Sequence, residues 1–366
     1  MTAGRVLVAN VGSSSVKLRV VGSDDEVLGA ADLPADPPPD ELDAALVELP
    51  EADAVGHRVV HGGADFTGPV VIDGTVVDRL QGLTPMAPLH NPPAVELIRR
   101  LLQARPDLPA VACFDTAFHA HLDPAAATYA LPGAWRDRWP LRRFGFHGLS
   151  HAWATRRAAA LLDRPVGDLR LVTCHLGAGA SLAAVAAGRS VDTTMGFTPL
   201  EGLVMATRSG SVDPGLLLWL LRTTDVTVAD LDDALEHRSG VLGLSRRSAD
   251  LREVLAAADV GDEDARLAIA VYAHRLRAGI AAMAAAMGGV DAVVFTGGVG
   301  ERSAVVRRLA GEGLGFLGIG LDGRANEALD GHGDGVVTAP GATVEVVVVC
   351  AREELEIAGE VRRLLG

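Results

Sequence analysis

The stretch Val6-Leu7-Val8-Ala9-Asn10-Val11-Gly12-Ser13-Ser14-Ser15-Val16-Lys17-Leu18-Arg19-Val20-Val21 reads as two apolar strands, Val6 to Val11 and Val16 to Val21, joined by a turn of small residues. That is a β-hairpin. A turn of this kind lets backbone N–H groups point at an anion. Three hydroxyls and one ammonium add donors, and Asn10 at the strand end can hold a metal-bound water. Gly and Ser are ordinary turn residues, so the turn alone would be read as a plain hairpin. Lys17 shifts the reading towards phosphate. It is the only lysine among 33 basic residues; the other 32 (33 minus 1) are arginine. A coding bias explains a general replacement of Lys by Arg but not one survivor. Chance is the plain reading; the functional one is that this position needs a slender ammonium and not a planar guanidinium.

The hairpin has an echo. Leu171 to His175 is an apolar strand, Gly177-Ala178-Gly179 a turn, and Ser181 to Ala186 a second strand. Asn10-Val11-Gly12-Ser13 lines up with His175-Leu176-Gly177-Ala178. Two halves that open alike imply an internal duplication. Further strands are expected at Ala54 to Val60, Val70 to Ile72, Ala110 to Phe114, Ala292 to Phe295 and Val344 to Val349. Leu33 to Asp40 is Pro-rich and reads as a loop before a helix from Glu41 to Leu49. Pro92 and Pro93 open a helix over Ala94 to Gln103. Helices are also expected over Ser150 to Leu162, with Ser150 as N-cap, and over Asp264 to Met287, Ser303 to Leu309 and Glu353 to Leu364. Strands come early in each half and helices late, which defines an α/β chain with mixed sheets and excludes Rossmann or TIM-barrel alternation.

The length, 366 residues, favours two domains. Acidic residues number 47 and the net charge is −14, which argues against nucleic acid or an anionic membrane as partner. The N-terminus carries no signal-peptide pattern, and the most apolar stretches are too short to span a bilayer. Cys113, Cys174 and Cys350 are far apart, flanked by apolar residues and free of C-x-x-C spacing, so they read as reduced, buried residues of a cytoplasmic protein.

Several motifs carry chemistry. Gly56-His57-Arg58-Val59-Val60-His61-Gly62-Gly63 puts a basic cluster in an apolar strand, which is costly unless an anion or acid partners it. Thr207-Arg208-Ser209-Gly210 offers a second arginine among small residues. Neither arginine has an acidic partner nearby in sequence, and two guanidiniums converging on a carboxylate and a phosphoryl group suit acyl-phosphate chemistry. Phe114-Asp115 places a carboxylate at the end of a buried strand. His147 sits between glycines in Gly145-Phe146-His147-Gly148, where a backbone can approach a ligand closely. His175-Leu176-Gly177-Ala178-Gly179 and Phe295-Thr296-Gly297-Gly298-Val299-Gly300-Glu301 are Gly-rich turns after strands. Singly such turns are weak signals; together with the hairpin they form a nucleotide-cradling set.

With these motifs in order from Asn10 to Glu353, and with GFTPLEG at Gly196 to Gly202 and PLHNPP at Pro88 to Pro93, the chain resembles the acetate kinases, the acetokinase family of the actin-like superfamily. The resemblance implies two actin-like (ribonuclease-H-like) domains with mixed β-sheets flanked by helices, residues 1–117 plus 355–366 and residues 118–354, with the active site in the cleft between them. It implies transfer of the ATP γ-phosphoryl group to acetate, with Mg²⁺ (or Mn²⁺) held by Asn10 and Glu353. Lys17 matches an ATP-contacting position, Arg58 the substrate arginine, Asp115 the catalytic acidic residue, and His147 and Arg208 the transition-state stabilisers. His175, Leu176, Gly177, Ala178 and Gly179, then Asp250-Leu251-Arg252, then Gly298, Val299, Gly300, Glu301 and Arg302 match three nucleotide-binding segments. Val60, Leu89, Phe146 and Pro199 match the apolar pocket for the acid's methyl group. A homodimer acting on acetate or acetyl phosphate and ATP or ADP is the implied assembly.

Some positions depart from the family pattern. Ala178 and Arg302 stand where Asn is usual, Ala206 where Gly is usual, and Ser211 where Asp is usual. The interval from Lys17 to His57 is shorter than usual. Two alternatives remain: a propionate (short-chain acid) kinase, and a non-catalytic nucleotide switch, which would not need Arg58, Arg208, His147 and the apolar pocket together.

Overall fold

The computed structural model describes residues 4–12 and 15–366; Ser13 and Ser14 of the expected anion turn lie outside them. The chain divides into two compact units. One comprises Met1–His121, Phe146–Trp153 and Arg352–Gly366, the other Leu122–Gly145 and Ala154–Ala351. Residues 118–121, 146–153 and 352–354 thus group with the first unit, although the boundaries read from the sequence set them in the second. His147 is among them.

The first unit holds β1 (Val6–Val11), β2 (Ser15–Val21), β3 (Val27–Pro34), β4 (Ala54–Val59), β5 (Val70–Val71) and β6 (Ala110–Phe114), in the spatial order β3-β2-β1-β4-β6-β5. β1 pairs antiparallel with β2 and parallel with β4, and β4 pairs parallel with β6. One face carries a large apolar cluster, including Leu18, Leu80, Ile98, Leu101 and Phe114. The other face packs Val6, Val8, Ala54 and Val111 against Ile357, Ala358 and Val361 of the helix Glu353–Leu365.

The second unit holds β7 (Arg170–Leu176), β8 (Ala180–Ala186), β9 (Arg189–Thr193), β10 (Ala292–Thr296), β11 (Gly335–Val336) and β12 (Glu345–Val348), in the order β11-β12-β10-β7-β8-β9. Reading β9-β8-β7-β10-β12-β11 against β3-β2-β1-β4-β6-β5 gives the same topology with the same strand directions. The inferred duplication is therefore present in the connectivity. A backbone bond closes each hairpin: Gly12 N donates to Ser15 O at 2.8 Å, and Gly177 N to Gly179 O at 2.9 Å. In both sheets helices flank mixed strands, the actin-like, ribonuclease-H-like architecture.

Differences from the sequence reading are local. β3 extends through Leu33, which had been read as loop, because an exposed edge strand lacks the apolar run of a buried one. The helix after the His147 loop starts at Gly148, so Ser150 lies inside its first turn and does not cap it. The Gly297 to Gly300 turn is the short helix Gly297–Arg302, and Ser303 caps the next helix through Val306 N. Cys113 and Cys174 are buried as expected; Cys350 is only half-buried.

Candidate active site

In the first unit three strand ends and a helix start bring polar and charged residues together. β1 ends at Asn10-Val11, β4 at Arg58-Val59, β6 just before Asp115, and the helix Glu353–Leu365 opens on Glu353. Parallel neighbours β1, β4 and β6 present these residues at their C-terminal ends, where ligands bind in open α/β sheets. Arg58 Nε donates to Asp115 Oδ1 at 3.1 Å and Nη2 to Asp115 Oδ2 at 2.6 Å, a bidentate fork. Arg58 Nη1 donates to Asn10 Oδ1 at 3.1 Å and lies 3.7 Å from Glu353 Oε2. Asn10 Nδ2 donates to Glu353 Oε2 at 2.9 Å. The acidic partners that neither arginine has nearby in sequence are thus supplied from far away, 57 residues on in the case of Asp115. Of the five N–H groups a guanidinium carries, three are taken, leaving two for a ligand.

Electrostatics follow from burial. Desolvation works against the Arg58 charge, but Asp115 and Glu353 outweigh it and raise its pKa. Burial raises the Asp115 carboxyl; the Arg58 guanidinium and the His147 amide oppose that rise, while Glu353 adds to it. His57, next to Arg58 but facing the core, is pushed down to about 3 by burial and is neutral at pH 7. The basic cluster of this strand is therefore one cation and a neutral imidazole.

His147 adopts a left-handed backbone, φ 56°, immediately before the helix Gly148–Leu161. Such a conformation in a non-glycine residue is held by its surroundings. Gly148 N donates to Asp115 O at 2.8 Å, and a Cβ on Gly148 would stand 2.1 Å from that oxygen. The glycine thus lets the His147 loop lie directly on the strand end that carries Asp115. Lys17 is exposed and sits directly across from Asn10 in the β1–β2 register.

Val60 and Phe146 are buried, and the Phe146 ring meets His61 edge-on at 5.3 Å. Leu89 is exposed. Its neighbour Asn91 accepts from His61 N at 3.2 Å and donates to His61 O at 3.0 Å, tying PLHNPP to the end of β4. The sequence reading gave Asn91 no role; its place inside a distinctive motif was the only signal.

In the second unit the three expected nucleotide segments share one cavity of about 520 Å³. Gly177 and Ala178, Asp250 to Arg252, and Gly298, Val299 and Arg302 line it, joined by Ala206, Tyr272 and Ser303. Its volume falls in the usual range of ligand sites, roughly 300–1,000 Å³. Asp250 caps the helix Leu251–Asp259 and forks Arg252 at 2.5 Å. Tyr272 was not expected; its hydroxyl is buried and finds no hydrogen-bond partner among the described residues. His175 and Leu176 close β7 beside the cavity turn, while Gly300 and Glu301 continue the helix that supplies Gly298 and Val299. Glu301 Oε1 accepts from Ala351 N at 2.9 Å, which anchors that helix.

Arg208 is partly buried in the same unit. Its Nη1 donates to Pro199 O at 2.7 Å, and its Nε lies 3.9 Å from Glu236 Oε2. Desolvation lowers its pKa and Glu236 supports the charge, which a guanidinium keeps in any case. Most of its donor edge is uncommitted.

These features define the class: a two-unit actin-like protein with a nucleotide-sized cavity in one unit and a charged carboxylate-and-guanidinium cluster in the other. Comparison with known proteins narrows it. The model of the acetokinase family matches residues 40–359. An acetate kinase of Deinococcus radiodurans is 49% identical over 313 residues, covering 86% of this chain and 78% of the relative. The crystal structure of Porphyromonas gingivalis acetate kinase superimposes with a TM-score of 0.91 at 36% identity, covering 100% of both chains. A propionate kinase from Francisella tularensis gives 0.88 at 33% identity, covering 98% of each. The chain belongs to the acetokinase family.

Proposed function

We propose that the chain is an acetate kinase, which transfers the γ-phosphoryl group of ATP reversibly to acetate by direct in-line displacement. The observation that carries this reading is the Asn10–Arg58–Asp115–Glu353 cluster. It holds the guanidinium through Nε and Nη2 on Asp115 and Nη1 on Asn10, and leaves two N–H groups that bond to none of the described residues to bind a carboxylate.

In the reaction an acetate oxygen attacks the γ-phosphorus and the bond from that phosphorus to the β–γ bridging oxygen breaks. ADP leaves with the electron pair. Arg58 binds the acid's carboxylate, and Asp115 holds Arg58 in place. A carboxylate is already ionised at pH 7, so Asp115 has no proton to remove. Arg208 and His147 neutralise charge on the moving phosphoryl group, where one arginine contributes roughly 10³–10⁵ in rate. Lys17 contacts the ATP phosphates. Val60, Leu89, Phe146 and Pro199 receive the methyl group. The cavity of the second unit takes the nucleoside through His175 to Gly179, Asp250 to Arg252 and Gly298 to Arg302; its size supports a nucleoside triphosphate donor over pyrophosphate.

Asn10 and Glu353 fit a divalent cation. Each carries a side-chain oxygen, the Asn10 amide nitrogen lies 2.9 Å from Glu353 Oε2, and Mg²⁺ is commonly held by one or two protein groups plus phosphates and water. Bound there, Mg²⁺ or Mn²⁺ would neutralise phosphate charge. The enzyme is assigned to the cytoplasm.

A homodimer is also proposed, on a second observation. The helix Pro214–Thr223 carries six consecutive apolar residues, Leu216 to Leu221, and none of its residues is buried. A helix apolar on all sides is normally covered, and a second copy of this chain is the occupant proposed.

The propionate reading is favoured by the Francisella relative. A coupled assay with ATP and Mg²⁺ across acetate, propionate and butyrate decides between them. Acetate should give the highest kcat/KM. Val60→Ala should move the ratio towards propionate, within the roughly 10–200-fold that one methylene can supply. No transfer to any acid would overturn the kinase reading; an unmoved ratio would remove Val60 from the pocket.

A further inference from the structure

The motif Gly196 to Gly202 has so far contributed only Pro199. Its most polar residue, Glu201, is half-buried and doubly engaged. Glu201 Oε2 accepts from Tyr129 Oη at 2.5 Å, and Oε1 accepts from Arg143 Nη2 at 2.9 Å. The other end of the Arg143 guanidinium is spent on the same segment: Nη1 donates to the carbonyls of Thr193, Thr194 and Met195, each at 3.1 Å. Tyr129 Oη in turn accepts from Phe197 N at 2.9 Å. Gly196 O accepts from Phe144 N at 3.0 Å. A Cβ on Gly196 would lie 1.7 Å from Glu201 Oε2 and 2.1 Å from Tyr129 Oη, so the clamp closes only over a glycine.

The polar links of this clamp converge on the segment from Thr193 to Gly202. That loop meets the reacting groups at Pro199 O, which accepts from Arg208 Nη1 at 2.7 Å. Among the described residues Arg208 has no other side-chain hydrogen bond; Glu236 is 3.9 Å away. The orientation of the arginine is therefore set by a carbonyl whose own place is set by Glu201.

We propose that Glu201 is a positioning residue: with Tyr129 and Arg143 it fixes the Pro199 carbonyl, and through it the Arg208 guanidinium, for phosphoryl transfer. The inference rests on the reading of Arg208 as a transition-state stabiliser. A charge-stabilising group displaced by about 1 Å loses on the order of 10²-fold in rate, whereas nucleotide binding in the separate cavity should be untouched.

The test is a double-mutant cycle on the full-length enzyme, with Glu201→Ala, Arg208→Ala and the double variant, scored by kcat and by KM for ATP. Glu201→Ala should lower kcat by about 10–100-fold and leave the ATP KM within about twofold. Glu201→Gln keeps an acceptor for Tyr129 and should recover part of the loss. In the Arg208→Ala background Glu201→Ala should cost nothing further. An equal cost in both backgrounds, or an unchanged kcat in Glu201→Ala, overturns the positioning role. Near-normal kcat in Arg208→Ala instead overturns the reading of Arg208, so the two failures are told apart. Should Glu201→Ala not fold, Tyr129→Phe removes one arm of the clamp without emptying its volume; a several-fold fall in kcat that vanishes in the Arg208→Ala background supports the proposal, and no fall overturns it.

Discussion

At the scale of single residues, Arg58 and Arg208 should respond differently to the same truncation. Arg58 is the partner of a carboxylate that is 1% exposed. Arg58→Ala strands that charge in the interior, and breaking a buried pair from one side costs about 3–5 kcal/mol. The variant should therefore lose both most of its kcat and a large part of its resistance to urea. Arg208 bonds to the Pro199 carbonyl and stands 3.9 Å from Glu236, which is itself partly exposed, so Arg208→Ala strands no tightly paired charge and should lose kcat with stability changed by less than about 1 kcal/mol. Urea unfolding beside the kinase assay separates the cases. Equal destabilisation of the two variants would show that the fork to Asp115 does not hold Arg58 as described. The residues themselves can be singled out from the sequence, and Asn10, Arg58, Asp115 and Glu353 stand in one cluster, although the sequence reading set Glu353 in the other half from Arg58 and Asp115. Their partners were not. Asp115 is 57 residues from Arg58 and Glu353 a further 238 from Asp115 (353 minus 115), and no local pattern encodes such pairings. Glu201 was quoted only as a letter of a motif because its function lies in contacts with Tyr129 and Arg143, 72 and 58 residues away.

At the scale of elements, the nucleotide turns test whether two departures from the family pattern compensate each other. Ala178 and Arg302 line the same cavity from different elements, a strand turn and a helix end. The Arg302 guanidinium can stack on a purine or reach a phosphate, replacing what an amide at 178 would give. Arg302→Asn should raise the KM for ATP several-fold and leave the KM for acetate alone. Adding Ala178→Asn should recover part of the loss. An unchanged ATP KM would mark Arg302 as a solvated arginine at the mouth of the cavity. Strands buried on both sides, such as β6 and β10, were placed within a residue because continuous apolar runs announce them. β3 and β9, at sheet edges, were missed, as was the helix Pro214–Thr223, whose apolar run faces no core, and the helices that follow it to Asp259.

At the scale of the molecule, the uncovered helix Pro214–Thr223 leads to a prediction about assembly. Trp219 is 55% exposed and Leu216 47%. Replacing both by Asp should convert a dimer into monomers in sedimentation equilibrium. Because each change falls on an exposed position, the unfolding midpoint of the monomer should move little. A native enzyme that sediments as a monomer at micromolar concentration would refute the proposed interface. The division of the chain also has a consequence for how the protein is made. The first unit needs its helix Glu353–Leu365 to cover Val6, Val8, Ala54 and Val111, yet the ribosome supplies that helix only after the whole of the second unit. The second unit can close on itself during synthesis; the first emerges earliest and waits, one face of its sheet bare. For the time it takes to translate more than 200 residues, that face is a natural client for a chaperone and a nucleus for misassembly. A chain halted before residue 352 should release a folded second unit joined to a first unit that cannot complete its core.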